Sequence, residues 1–239
     1  MASPPFGATL HALLDLVLPI ACVGCGRDGV AWCAACSAPL RRPARRTVPD
    51  PCPPGLPVTW AVAGYDGVVR NAVVAHKERG ARVLTGVLAG ALAASAAAAV
   101  DCAGPLALVP APSRTAAVRA RGEDPTARLA RAAASRLRRT GLPARVVPLL
   151  RMARSARDQA GLSAAERAAN LTGAVRVGRV PAGLSAYRIV LVDDVVTTGA
   201  TLAECARSLR AAGLGVSAAA VVAATARRPA GLSRADGRD

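Results

Sequence analysis

The stretch RIVLVDDVVTTGATLAECARSLRAAG, residues 188–213, limits what this chain can fold into more than any other segment. Ile189 to Val192 form an uninterrupted apolar run that ends in two adjacent carboxylates, Asp193 and Asp194, followed by small and hydroxyl residues. A helical pattern opens near Thr201. An apolar run without polar alternation needs cover on both faces, as a strand of a parallel sheet has. Similar units recur along the chain. VTWAVAGY, LALVPAP, ARVVPLL and GVSAAAVVAAT read as strands, and Ala-rich stretches over 83–100, 125–139 and 201–212 read as the helices that alternate with them. Such alternation predicts an α/β fold, a parallel sheet flanked by helices.

In a parallel sheet, ligands bind beyond the carboxyl ends of the strands, which is where Asp193 and Asp194 fall. Adjacent strand residues point to opposite faces, but a turn at the strand end can swing both carboxylates toward one crevice. There they can accept hydrogen bonds from vicinal hydroxyls or hold a hydrated cation. Val196, Thr197, Thr198, Gly199, Ala200 and Thr201 follow, offering backbone N–H groups, hydroxyls and a glycine for close approach at the positive end of a helix dipole. Acids for a diol beside amides for a phosphate describe a ribose 5-phosphate pocket. Two simpler readings stand beside it: a magnesium site like that of phospho-receiver domains, and a threonine that serves only as an N-cap.

Residues 1–57 are of another kind. They hold two C-x2-C pairs in CVGCGRDGVAWCAAC, namely Cys22, Cys25, Cys33 and Cys36, and then the proline-rich stretch RRPARRTVPDPCPPGLP, which should prevent regular helix or sheet. A two-residue spacer lets both thiolates of a pair turn toward one cation, and two pairs supply the ligands of a closed tetrahedral zinc site. Redox-active or merely reduced thiols are the alternative. Cys52, Cys102 and Cys205 lack such spacing and read as ordinary small residues. The expected organisation is a cysteine module and linker over 1–57, an α/β domain over 58–226, and a disordered polar tail over 227–239.

Composition narrows the function classes. Aromatic residues make up 2% of the chain, too few for a base-stacking platform. The formal net charge of +16 suits a polyanionic partner, yet Lys77 is the only lysine, and an Arg-, Ala-, Gly- and Pro-rich chain can acquire such charge from coding bias alone. ATLHALLDLVLPI lacks a basic leading region and carries Asp15, so it reads as an amphipathic helix and not as a secretory signal. VLTGVLAGALAASAAAAV has the length of a membrane span, but its alanines supply little transfer energy, so a buried helix and a cytoplasmic protein are expected.

The apolar strand, acid pair and T-T-G-x-T together resemble the phosphoribosyl pyrophosphate motif of type I phosphoribosyltransferases. Further segments narrow the likeness: the paired cysteines after VLPIAC, YDGVVRNAVVAHKERG, LVPAPSRTAAVRARG and RMARSARDQAGLSAAERAANLTGAV. From about Leu16 to Thr225 the chain resembles the ComF-like phosphoribosyltransferases, a family named for DNA uptake by competent bacteria. The resemblance implies a type I phosphoribosyltransferase-like sheet with a small zinc module, phosphoribosyl pyrophosphate or a nucleotide as ligand, and Mg2+ with it. Asp193 and Asp194 would hold the ribose hydroxyls, residues 196–201 the 5-phosphate, and Ser113 and Arg114 the pyrophosphate. Arg154, Arg157 and Gln159, with Arg167 and Asn170 beyond them, would belong to a flexible loop that closes over the site. A plain amphipathic helix from Ser163, with Glu166 completing a capping box, explains the second half of that segment equally well. Where the family has an aromatic residue, Asn and Gln after RARG, this chain has Glu123, Asp124 and Pro125. Lys77 falls where the family has a lysine, although its spacing alone reads as a surface residue.

An active transferase would displace pyrophosphate from ribose C1 with a nitrogen nucleophile. The competing expectation is a non-catalytic ligand-binding protein whose cysteine module and basic surface engage single-stranded DNA or a competence/helicase partner protein.

Overall fold

The computed structural model describes residues 20–100, 104–113, 123–153 and 173–225. The amphipathic segment before residue 20, Cys102, Arg114, the loop residues Arg154, Arg157, Gln159, Arg167 and Asn170, the capping box, and the tail from 226 lie outside the described residues.

The chain first builds a short helix, α1 (Ala34–Ser37), capped by Cys33 and continued by a 3-10 turn, Ala38–Arg41. Strand β1 (Arg45–Thr47) then pairs antiparallel with β2 (Thr59–Gly64). The prolines of the 41–57 stretch therefore do not exclude sheet: between Pro43 and Pro49 there is room for one short edge strand, where a missing N–H can face solvent. Helix α2 (Gly67–Glu78), a 3-10 turn at Arg82–Leu84 and helix α3 (Thr85–Ala98) follow. Strand β3 (Leu106–Pro110) is buried at every position. Helix α4 (Pro125–Arg139) has Pro125 in its first turn, where no N–H is needed, and Asp124 as N-cap, accepting from the Thr126 and Ala127 amides.

The ARVVPLL segment divides at Pro148. Strand β4 (Ala144–Val146) joins the main sheet, whereas β5 (Leu150–Met152) pairs with β6 (Val175–Val177) in a separate two-stranded ribbon. A final unit of β7 (Arg188–Val196), α5 (Ala200–Ala211) and β8 (Val216–Ala224) completes the fold.

The main sheet has the order β1-β2-β8-β7-β3-β4, parallel except at β1. It is thus a mostly parallel six-stranded sheet flanked by helices. One face packs against α2, α3 and α4 through Val62, Leu88, Leu92, Leu129, Val190 and Val222. The other packs against α5 and the β5–β6 ribbon through Leu150, Val175, Leu191, Leu202, Leu209 and Val221. Because neighbouring strand residues serve opposite faces, Val190 and Leu191 belong to different cores, which is why the run tolerates no polar residue. Beside Leu88 and Leu92, helix α3 brings Ala89, Ala91, Ala93 and Ala96 to this core, and the Ser95 hydroxyl donates to the Val221 carbonyl at 2.8 Å. No helix among the described residues is long and apolar enough to cross a membrane.

Candidate functional site

Strand β7 runs four residues further than the apolar run suggests, so Asp193 and Asp194 lie within the strand and not in the loop beyond it. They still occupy the carboxyl edge of the sheet. The Asp194 amide donates to Asp193 Oδ1 at 2.8 Å, which draws the Asp193 carboxylate back along the strand toward its neighbour. Asp194 is buried, and its carboxylate is held by Lys77 from α2, with Nζ 3.0 Å from Oδ1 and 2.8 Å from Oδ2. The surface reading of Lys77 is therefore corrected. Lysine at the last turn of a helix that leans over the strand end reaches inward, and 117 positions of sequence separate the two partners, so local spacing could not reveal the pair.

The electrostatics follow from crowding. Burial first and the neighbouring Asp194 second push the Asp193 carboxyl well above the usual aspartate range, against the pull of Lys77 and the Asp194 amide. Desolvation pulls the Lys77 ammonium down, but Asp194 and Asp193 together outweigh it and leave the pKa raised. His76, its buried neighbour, is held down to about 4 by burial and by Arg128, whose guanidinium lies 3.4 Å from Nε2. A cation or a pair of hydroxyl donors brought to the acid pair would relieve the Asp193–Asp194 repulsion.

Asp193, Val195, Val196, Thr197, Thr198, Gly199, Ala200, Thr201 and Leu202 line a hollow of 30 Å³ directly beside the acids. Gly199 has φ +74°, and a Cβ there would lie 3.1 Å from Leu56 Cδ2 and Pro49 Cγ, so glycine is required both for the turn and for the fit. The N-cap of α5 is Gly199 itself and no side chain caps the helix; Thr198 Oγ1 merely accepts from the Ala200 amide at 3.5 Å. The threonines therefore do not cap the helix from the N-cap position, and the first-turn amides of α5 after Ala200 are left for a ligand or water. Thr225 ties the loop to β8, its amide donating to the Val196 carbonyl and its hydroxyl to the Thr197 carbonyl.

Ser113 follows β3 on the other side of β7. Its hydroxyl donates to Asp124 Oδ1 at 2.8 Å, and its amide to Asp124 Oδ2 at 3.4 Å. Asp124 thus spends its carboxylate on the α4 cap and on Ser113, while Glu123 pairs with Arg128 and Arg131. Glu204, which nothing in the sequence singled out, accepts from the Gly173 amide at 2.9 Å and pairs with Arg207, fixing the chain where it returns from the undescribed 154–172 segment. The i,i+3 Glu–Arg spacing was its only trace.

The second site is local. Cys22, Cys25, Cys33 and Cys36 place their sulfurs within 4.8 Å of one another. Cys22 and Cys36 Sγ are 3.8 Å apart, and Cys25 and Cys33 Sγ 3.7 Å. Thiolates at about 2.3 Å from a tetrahedral zinc would be separated by about 3.8 Å, so the cluster fits and could hold a metal such as zinc. Gly24 permits it: a Cβ there would lie 2.7 Å from Cys36 Sγ. Burial raises the Cys22 thiol, but the amides of Cys25, Cys33 and Gly24 and the Cys36 thiol overcome it and bring it to about 6. The Cys36 amide lowers Cys33 as well, whereas burial and the other three thiols push Cys36 up. Trp32 and Val68 cover the cluster, and Asn71 of α2 donates to the Gly24 carbonyl, docking it onto the sheet domain. No protein-family model matches this chain, and no curated protein matches it.

Proposed function

We propose that this protein binds phosphoribosyl pyrophosphate with Mg2+ and transfers the phosphoribosyl group to a nitrogen acceptor, on a type I phosphoribosyltransferase-like sheet of the ComF-like kind carrying a structural zinc. One observation carries the reading: two crowded carboxylates stand at the carboxyl edge of a central parallel strand, beside an uncapped helix N-terminus and a glycine turn. Asp193 and Asp194 accept hydrogen bonds from the ribose hydroxyls. The amides of residues 197–201 and the threonine hydroxyls hold the 5-phosphate, assisted by the α5 dipole.

Lys77 gives the site a movable positive charge. In the ligand-free protein it neutralises Asp194; when ribose hydroxyls take over that carboxylate, the ammonium can turn to the departing pyrophosphate. Mg2+ would neutralise the leaving group, and hard carboxylate oxygens such as those of Asp193 suit it. The new C1–N bond forms as the C1–O bond breaks, pyrophosphate leaves with the bonding electron pair, and the acceptor proton passes to water. Ser113 can join pyrophosphate binding only by releasing Asp124, which makes it the weakest of the named contacts. The net charge of +16 supports a second, non-catalytic reading in which single-stranded DNA or a partner protein is the target, and pyrophosphate release separates the two.

The deciding experiment titrates phosphoribosyl pyrophosphate with Mg2+ into the intact protein and into an Asp193→Asn, Asp194→Asn double variant. Binding by the intact chain and its loss by at least about 100-fold in the folded variant is the expected outcome, on the scale of lost charge-assisted contacts. Absence of binding by the intact protein overturns the reading.

A further inference from the structure

A cavity of 600 Å³ belongs to neither the acid-pair hollow nor the cysteine cluster, and its size falls within the range of small-molecule pockets. It opens at the carboxyl ends of β2 and β8, between the sheet and the segment that carries β1. Because β1 runs antiparallel, with Arg45 opposite Ala61, the residues preceding it lie at this same edge. Arg42, Arg45 and Arg46 are among its lining residues; Val62, Val69 and Ala224 contribute apolar surface; Asp66 is the only carboxylate in the lining.

Three features make this a prepared site. Among the described residues, none of the three arginines has an ion pair. Arg46 Cζ lies over the Trp60 ring, 5.5 Å from its centroid, a cation–π contact that does not consume the guanidinium N–H donors. Asp66 occupies the N-cap position of α2 with extended backbone, yet makes no side-chain cap bond. The stabilisation that a capping aspartate commonly supplies is here forgone. The carboxylate instead folds over Gly64, where a Cβ would come within 2.8 Å of Oδ2. Thr225 lines the groove and also donates to the Thr197 carbonyl, so this cavity and the acid-pair loop share a wall.

We propose that the groove binds a small nitrogen compound bearing two or more oxyanion charges, with its phosphates or carboxylates on Arg42, Arg45 and Arg46 and an N–H group on Asp66. Its identification as the acceptor rests on the phosphoribosyl reading above; the binding itself does not. The shared chemistry is the oxyanion, and the test separates its two sources.

The chain has two tryptophans, so its indole N–H signals in a nitrogen-15 spectrum can be assigned with a Trp60→Phe variant. The full chain is titrated with pyridine-2,3-dicarboxylate, with its uncharged diamide, and with adenosine 5′-monophosphate. The dicarboxylate or the phosphate monoester should shift the Trp60 signal saturably, the diamide should not, and an Arg42→Gln, Arg45→Gln variant should weaken the response at least about 10-fold. Both arginines are exposed, so the fold should survive, and the unchanged remainder of the spectrum reports that. The Asp193→Asn, Asp194→Asn variant should keep the Trp60 response. If that response persists in a protein that does not bind phosphoribosyl pyrophosphate, the groove stands and its acceptor role falls. If phosphoribosyl pyrophosphate binds and neither anion moves Trp60, or the arginine variant responds like the native chain, the groove proposal is overturned. A single-stranded oligonucleotide that moves Trp60 where both small anions fail would overturn it in favour of nucleic acid.

Discussion

The cysteine cluster and the acid pair are both gatherings of like side chains, but they are assembled at opposite scales. The sulfurs of Cys22 and Cys36 meet across 14 positions, whereas Lys77 reaches Asp194 across 117. In the first, spacing and two turns do the work, and the thiols adjust to one another, Cys22 and Cys33 pulled down and Cys36 pushed up. In the second, the fold supplies a counter-charge from a different helix. The acid site should therefore be stable as the chain makes it, while the cysteine module should depend on an ion the chain does not provide.

Three experiments can break or sharpen that contrast. The largest effect should come from the thiols. Protein prepared under reducing conditions without chelator should carry close to one zinc per chain, and chelation or Cys36→Ser should cost roughly 4 kcal/mol, a fall in melting temperature of about 10 °C. Substoichiometric zinc, or a melting temperature that ignores chelator, would erase the contrast. Lys77→Met should come next. Breaking a buried pair costs about 3–5 kcal/mol, but the Lys77 side chain is 41% exposed, so screening reduces the expectation to about 1–3 kcal/mol in urea unfolding. A silent substitution would return Lys77 to the surface class.

The smallest effect is a pH slope, because two groups oppose each other. Asp193, with its folded pKa raised, binds more protons folded than unfolded above the ordinary value of 3.8, so its contribution falls as pH rises through that window. His76, lowered from 6.5 to about 4, binds more protons unfolded between those values, so its contribution rises with pH. Urea midpoints across pH 4 to 6.5 should change little in the native chain, rise with pH in Asp193→Asn, and fall with pH in His76→Asn. Parallel profiles in all three proteins would show that the crowding at the acid pair does not reach stability.

The legible part of the molecule was local. Apolar runs announced β3, β7 and β8, and the Ala-rich stretch 125–139 announced α4 at its observed bounds, because strand burial and helix-forming composition are written in neighbouring residues. Helix α2 escaped notice since Gly67-Val68-Val69 opens it with a flexible and two β-branched residues and Asp66 does not cap it. Strand β1 was hidden by prolines, and the separation of β4 from β5 depends on where the ribbon folds, which no propensity encodes. Within the candidate site, the acids, the glycine turn and the cysteines were legible. The engagement of Ser113 by Asp124 and of Asp194 by Lys77 were not, since both require elements to meet in space.

The alanine seam between α3 and β8 has a thermal consequence. Ala89, Ala91, Ala93 and Ala96 share one core with Ala220 and Ala223 of β8, so much of the side chain buried there is a single methyl group. Alanine surrenders no rotamer freedom on burial, but it also hides little hydrocarbon from water. The heat capacity of unfolding should accordingly be low for a chain of this length, and its free energy of folding should bend only gently with temperature, sacrificing height at the optimum for breadth on either side of it.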